Sequence, residues 1–132
     1  MLTKISLVAV GSALGGLARW GLTVGAARLV GATFPWGTFL INLLGSFFLG
    51  WFLTLLSERI PANGWGWVRA DDLRLLVAVG FTGAFTTFST YEYESHNLFR
   101  DGNSLTGTAY LFGSVLLGLL AVRIGVLLAR GS

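Results

Sequence analysis

Four long apolar stretches, each sufficient to cross a bilayer, constrain this chain more than any other feature of it. About 20 apolar residues in a helix span the roughly 30 Å hydrocarbon layer. Inside that layer each backbone N–H and C=O must be satisfied within the segment, so such runs are helical. The stretches cover residues 5–30, 35–56, 73–94 and 105–129 approximately. They predict a single all-α integral membrane domain over residues 1–132. Charged residues make up only 11% of the chain, and the mean hydropathy is +0.73. A soluble domain of this size needs a far more charged surface. Met1 to Lys4, followed at once by apolar sequence, has the outline of a leader peptide. It lacks a well-formed small-residue cleavage pattern, and three further apolar stretches follow, so it is read as a retained first span.

The formal charge of +3 and the isoelectric point near 10.0 do not indicate nucleic acid. The basic residues stand singly, mostly at the ends of apolar stretches, where they anchor and snorkel. Cysteine is absent, which removes disulfides and thiolate metal sites. No nucleophile–base set, phosphate-cradling loop or metal-ligand cluster is visible, so the chain is not read as an enzyme and no organic cofactor is expected. His96, beside a polar loop, is read as incidental. Four spans put both ends of the chain on one side, with Lys4, Arg59, Arg69, Arg74 and Arg130 there and Arg28 and Arg100 opposite. That bias specifies orientation only weakly. It permits, without requiring, an antiparallel homodimer.

The spans carry polar residues that lipid does not explain. In the second, Thr38, Asn42 and Ser46 recur at i, i+4, i+8 and share one face. Two readings stand: a stripe that holds helices together, or a pore lining in which the Asn42 amide offers donors to an anion. In the third, Gly80 to Tyr91 crowds glycines and hydroxyl residues into mid-span. A break between Gly83 and Thr87 is favoured, because hydroxyls bond back to preceding carbonyls and bend helices. The alternative is a continuous helix with a small-residue contact face. Phe81, Phe85, Phe88 and Tyr91 form an aromatic stripe, by default packing. Ring edges are electropositive, however, and suit a small anion. The Tyr91 hydroxyl is a further donor. In the fourth span Tyr110, Ser114 and Gly118 again fall at i, i+4, i+8. Arg19 lies inside the first span and either snorkels or caps carbonyls of the broken helix. Glu94 ends the third span near a polar mouth. Gly11 and Gly15, four apart, allow a close helix approach. Pro35 is placed in the first turn of the second span. Trp36 and Trp51 are read as interface anchors, with lipid-facing packing an equal reading for Trp51, and the loop with Trp65 and Trp67 as lying on the headgroups.

In this order, Gly15-Gly16 with Arg19, Trp36-Gly37-Thr38 with Asn42-Leu43-Leu44-Gly45, Gly80-Phe81 through Thr86-Thr87-Phe88-Ser89-Thr90, and Tyr110 with Gly113-Ser114 carry a family pattern. Through them the chain resembles, along essentially its whole length, the fluoride channels of the bacterial CrcB/Fluc family. The resemblance implies a multi-pass protein of the bacterial inner membrane, an antiparallel dual-topology homodimer with two pores, and passive export of fluoride. It implies that Asn42 is the pore asparagine and that Phe88 and Tyr91 present ring edges to the ion. Ser89 and Thr90 then lie between those rings on the non-helical break, with Thr38, Tyr110 and Ser114 along a polar track. Glu94 sits near the mouth and Arg19 supports the fold or the pore's field. The Gly83 and Thr86 carbonyls hold a structural Na+ at the dimer interface. Two positions depart from the pattern: Tyr91 stands where phenylalanine is usual, and Gly118 where some relatives carry a hydroxyl.

Three rival functions are weighed. A small proton-coupled drug exporter needs a carboxylate inside a span. Glu92 and Glu94 lie at the end of the third span, and the others carry none. A structural subunit without transport activity does not need polar residues stacked on three spans. A cation filter needs rings of carbonyls, of which only Gly83 and Thr86 offer any.

Overall fold

The computed structural model describes residues 1–31, 33–61 and 63–131; Ala32, Ala62 and Ser132 lie outside the described residues. The elements in order are α1 (Leu2–Val30), α2 (Trp36–Glu58), α3 (Ala70–Leu73), a π-helix (Arg74–Thr82), α4 (Gly83–Phe85), α5 (Phe88–Arg100) and α6 (Ser104–Gly131). Elements α3 to α5 together make the third span, Ala70–Arg100. Spans of 23 to 31 residues are roughly 35–46 Å long, so their ends project beyond the hydrocarbon or the helices tilt. The third span runs three residues earlier and six later than its hydropathy suggests, because its ends are polar helix, not loop. Pro35 is the residue before α2, not within its first turn.

Helix packing follows the small residues. α1 lies along the π-helical half of the third span, and α2 along α6. A Cβ at Gly11 would stand 2.1 Å from the Leu76 carbonyl oxygen, and one at Gly15 2.1 Å from that of Phe81. Between α2 and α6, a Cβ at Gly50 would meet the Val122 carbonyl at 2.5 Å. Backbones at such separations gain the dispersion contacts that hold helices together in lipid, where the hydrophobic effect does not act between them. Where α2 and α6 end, Arg130 Nε pairs with Glu58 Oε1 at 3.0 Å, and an Arg59 guanidinium nitrogen donates to the Ala129 carbonyl at 3.4 Å.

The third span is neither straight nor uniform. Its first half carries the wider π-helical turn, in which the Gly83 N–H reaches Ala78, five residues back. Thr82 Oγ1 bonds the Val77 carbonyl, also five back, at 3.0 Å. The helix then stops. Thr86 (φ −83°, ψ 159°) and Thr87 (φ −150°, ψ 116°) are extended, and α5 begins at Phe88. Before the break, Thr86 donates both its N–H (3.0 Å) and its hydroxyl (3.1 Å) to the Thr82 carbonyl. After it, Thr87 acts as N-cap, its hydroxyl oxygen accepting from the Thr90 N–H at 3.4 Å. The break therefore falls within the expected window, at its last two residues. Ser89 and Thr90 are not on it: they belong to the first turn of α5, since the Thr87 cap restarts the helix immediately.

Candidate functional site

The polar side chains inside the spans converge on the break and on the half-helix that follows it. Asn42 of α2 grips Thr87 from both sides, its Nδ2 donating to the Thr87 carbonyl (3.0 Å) and its Oδ1 accepting the Thr87 N–H (2.8 Å). In a continuous helix that N–H would serve the Gly83 carbonyl. The amide thus supplies the acceptor that the Thr87 N–H has lost, the compensation a break at membrane depth requires, and adds a donor to a carbonyl that already starts the hydrogen bonding of α5. Arg19 of α1 donates to the Thr86 carbonyl at 3.4 Å. Of its two expected roles, the structure shows the capping of broken-helix carbonyls.

Side chains beside the break divide sharply. Gly83, Phe88, Ser89 and Thr90 are exposed, Phe88 by 74%. Tyr91, one turn after Thr87, is buried, only 5% exposed. The Phe88 and Tyr91 rings are neighbours, 5.9 Å apart and tilted by 46°. The aromatic stripe expected of a regular helix is consequently divided: Phe81 and Phe85 stack on each other at 5.8 Å before the break, and the change of direction sends Phe88 outward. An open cleft of about 270 Å³ runs past Asn42, Gly45, Ser46, Gly83, Thr86 and Phe88.

A second cluster lies further along α5. Glu94 accepts from Thr38 Oγ1 of α2 at 2.9 Å and from the Tyr110 hydroxyl of α6 at 2.8 Å, one bond to each carboxylate oxygen. Tyr110 is 1% exposed, and the rings of Phe34 and Tyr91 both meet it edge-on at 5.3 Å. Thr38 and Glu94 border a larger cleft of about 690 Å³ that opens toward Asn97, Asp101 and Asn103. Trp36, expected as an interface anchor, packs against Phe34 at 4.6 Å in this aromatic wall. Ser114 Oγ is buried with no hydrogen-bond partner among the described residues, and so is Asn97 Oδ1. Gly118, opposite Ser46, leaves the space that a hydroxyl would fill.

Thr38, Asn42 and Ser46 therefore do not act as one stripe. Thr38 serves the mouth cluster, Asn42 the break, and Ser46 the smaller cleft. Sequence reasoning missed Thr87, whose N-cap role was signalled by a hydroxyl residue three before Thr90. It also missed Asn97, which no pattern marks.

A search against family models matches residues 6–126 to the CrcB-like protein, camphor resistance (CrcB), family. The chain belongs to the CrcB family. Curated relatives agree over nearly its full length. It is 43% identical to the "Fluoride-specific ion channel FluC" of Chloroflexus aurantiacus (strain ATCC 29366 / DSM 635 / J-10-fl) over 129 residues, 98% of this chain and 97% of the relative. It is 42% identical to proteins of the same name from Synechococcus sp. (strain JA-2-3B'a(2-13)), over 93% of this chain and 89% of the relative, and from Solibacter usitatus, over 96% and 98%. Four apolar spans and bacterial CrcB relatives make this a multi-pass inner-membrane protein.

Proposed function

We propose that this CrcB-family chain is a fluoride-selective channel that lets the anion leave the cell passively, as an antiparallel homodimer with two pores. The observation that carries the reading is the break at Thr86–Thr87, held by Asn42, with Phe88, Ser89 and Thr90 exposed beside it. Hydroxyls and a severed helix do not face lipid at mid-span. A second copy of the chain covers them and closes a pore against the cleft. The relatives of the same length named as fluoride channels support the choice of ion.

Fluoride is small and strongly hydrated, so a narrow passage must replace its water with other donors. Ser89, Thr90 and the outward Phe88 ring edge supply contacts at the break, with the Tyr91 ring beside them. Ser114, whose hydroxyl lacks a partner, and Tyr110 continue the track toward Thr38 and Glu94 at the mouth. The Asn42 amide spends one N–H on Thr87 and has a second to offer the ion. No cation stands among these groups. A fixed charge in the path would bind the anion too tightly for release, since charge pairs strengthen steeply as water is excluded. Arg19 is instead tied to the Thr86 carbonyl.

The donor set also fits a structural Na+. Carbonyl oxygens suit a hard cation. The Gly83 carbonyl has lost the Thr87 N–H, and Gly83 is exposed on the face that a second copy would cover. The Thr86 carbonyl shares its lone pairs with Arg19. Bound there, Na+ would neutralise these carbonyl dipoles and fasten the two broken helices together.

Efflux from proteoliposomes, recorded with fluoride and with chloride in parallel, tests the function. Rapid fluoride release with little chloride release is expected. Equal release of the two anions overturns fluoride selectivity, and release of neither overturns the channel.

A further inference from the structure

Among the described residues, the hydroxyl of buried Tyr91 joins the half-helix after the break to α6. It donates to the backbone carbonyl of Leu111, about two turns into α6. That carbonyl lies inside a continuous helix, so it already receives a helical N–H and offers Tyr91 its remaining lone pair. We infer that Tyr91 is a positioning residue, whose hydroxyl clamps the half-helix after the break to α6 and thereby fixes how Phe88 is presented. The inference rests on the channel reading given above and assigns the hydroxyl a task other than touching the ion.

Three observations lead there. First, α5 starts from two extended residues and has no helical continuity with α4, so near the break its rotation about its own axis is set by side-chain contacts, its far end being held by the turn into α6. Near its start, polar contacts tie it at two places: Thr87 to Asn42 of α2, and Tyr91 to Leu111 of α6. Two ties on two different helices resist rotation of this first turn, and the Glu94 bonds to Thr38 and Tyr110 act only about a turn further on. Second, Phe88 lies between those ties and is 74% exposed, and its ring neighbour is Tyr91 itself at 5.9 Å. The aim of its ring edge is inherited from the half-helix. Third, Tyr91 meets the Tyr110 ring edge-on at 5.3 Å, and Tyr110 in turn bonds Glu94, one helical turn beyond Tyr91 on the same half-helix. The clamp therefore also sets the wall that holds the mouth carboxylate.

This arrangement explains why tyrosine serves at position 91. With 5% exposure and a carbonyl partner, its hydroxyl is neither placed nor free to solvate a passing anion. A phenylalanine there keeps the ring and loses the tie.

The test is a graded series at this position: Tyr91→Phe, Tyr91→4-aminophenylalanine, whose N–H can donate to the same carbonyl, and Tyr91→4-methoxyphenylalanine, which cannot donate. Thermal unfolding in detergent reads the clamp without any transport. Fluoride flux per assembled channel in proteoliposomes reads its consequence. Tyr91→Phe is expected to lower the unfolding temperature and cut flux roughly threefold, the size of one interhelical hydrogen bond in a bilayer. The amino variant should recover both, and the methoxy variant neither. Wild-type stability and flux in Tyr91→Phe would overturn the clamp. So would a flux loss with unchanged stability, which would make the hydroxyl an ion contact, or a failure of the amino variant to rescue. Should Tyr91→Phe not assemble, recovery of assembly by the amino variant supports the clamp and its absence overturns it. A wild-type chain that passes no fluoride would defeat the channel reading, while the unfolding series would still judge the clamp.

Discussion

At the scale of single residues, Phe88 and Asn42 look alike in a sequence, as one unusual residue each in an apolar span. The structure makes them opposites. Phe88 is largely exposed within its own chain and meets there the ring of Tyr91. Phe88→Ile should therefore change the unfolding free energy of the chain by less than about 0.5 kcal/mol, yet remove most fluoride flux, because bulk remains and the ring edge is gone. Near-normal flux in a well-assembled Phe88→Ile channel would show that the ring is packing. Asn42 holds both polar groups of Thr87. Asn42→Asp keeps the acceptor for the Thr87 N–H, loses the donor to its carbonyl and sets a negative charge beside that carbonyl. Dimers should still form, with most flux lost and stability reduced by about 1 kcal/mol or more, for the lost hydrogen bond and the carboxylate set against a carbonyl oxygen. Flux must be counted per assembled dimer, since misfolding imitates a blocked pore. Wild-type flux from assembled Asn42→Asp dimers would sink the assignment of Asn42 to the conduction path.

At the scale of elements, hydropathy revealed the spans because lipid imposes one demand along each whole helix. It revealed that the third was broken because Gly80 to Tyr91 is dense in glycine and hydroxyls. It did not show where the helix restarts, which depends on Asn42 from another helix and on the Thr87 cap. Hence Ser89 and Thr90 were misplaced, and Phe81, Phe85, Phe88 and Tyr91 were drawn as one stripe. The π-helix of Arg74–Thr82 left no mark either, since a nearly unbroken apolar run does not distinguish a turn of 3.6 residues from a wider one. Glycine spacing was more telling. A side chain at Gly15 must displace the Phe81 backbone, whereas one at the adjacent Gly16 meets nothing within 4 Å. Gly15→Leu should cost about 3 kcal/mol or more by forcing α1 off the third span. Gly16→Leu should leave assembly unchanged. Unfolding in detergent checks the pair, and equal behaviour of the two variants would refute the close α1 approach.

At the scale of the whole molecule, the remaining matter is which way the chain faces. Lys4, Arg59, Arg69, Arg74 and Arg130 favour one side and Arg28 and Arg100 the other, but counting them as equals overstates the bias. Arg130 is paired with Glu58, as Arg100 is with Asp101, and Arg59 bonds a backbone carbonyl at the end of α6. Arg69 lies 3.9 Å from Asp71. Acidic partners do not count in the orientation rule as such. These contacts nevertheless tie the arginines to the folded bundle. Insertion in both directions is then expected. The exposed band of Gly83, Phe88, Ser89 and Thr90 gives the two orientations a reason to meet, because a two-fold axis through it would place each broken helix against the other. The chain has no cysteine, so a single reporter is simple to install. Asn103 is exposed in the turn before α6 and, among the described residues, bonds through its backbone to Leu98 and Gly107. Asn103→Cys should react with a membrane-impermeant thiol reagent in about half of the chains when whole cells are labelled, and in the remainder only after the membrane is opened. Labelling confined to one face would sink dual topology. Four spans with a single orientation would then need a parallel partner, whose symmetry axis could not bring the two breaks together in opposite directions.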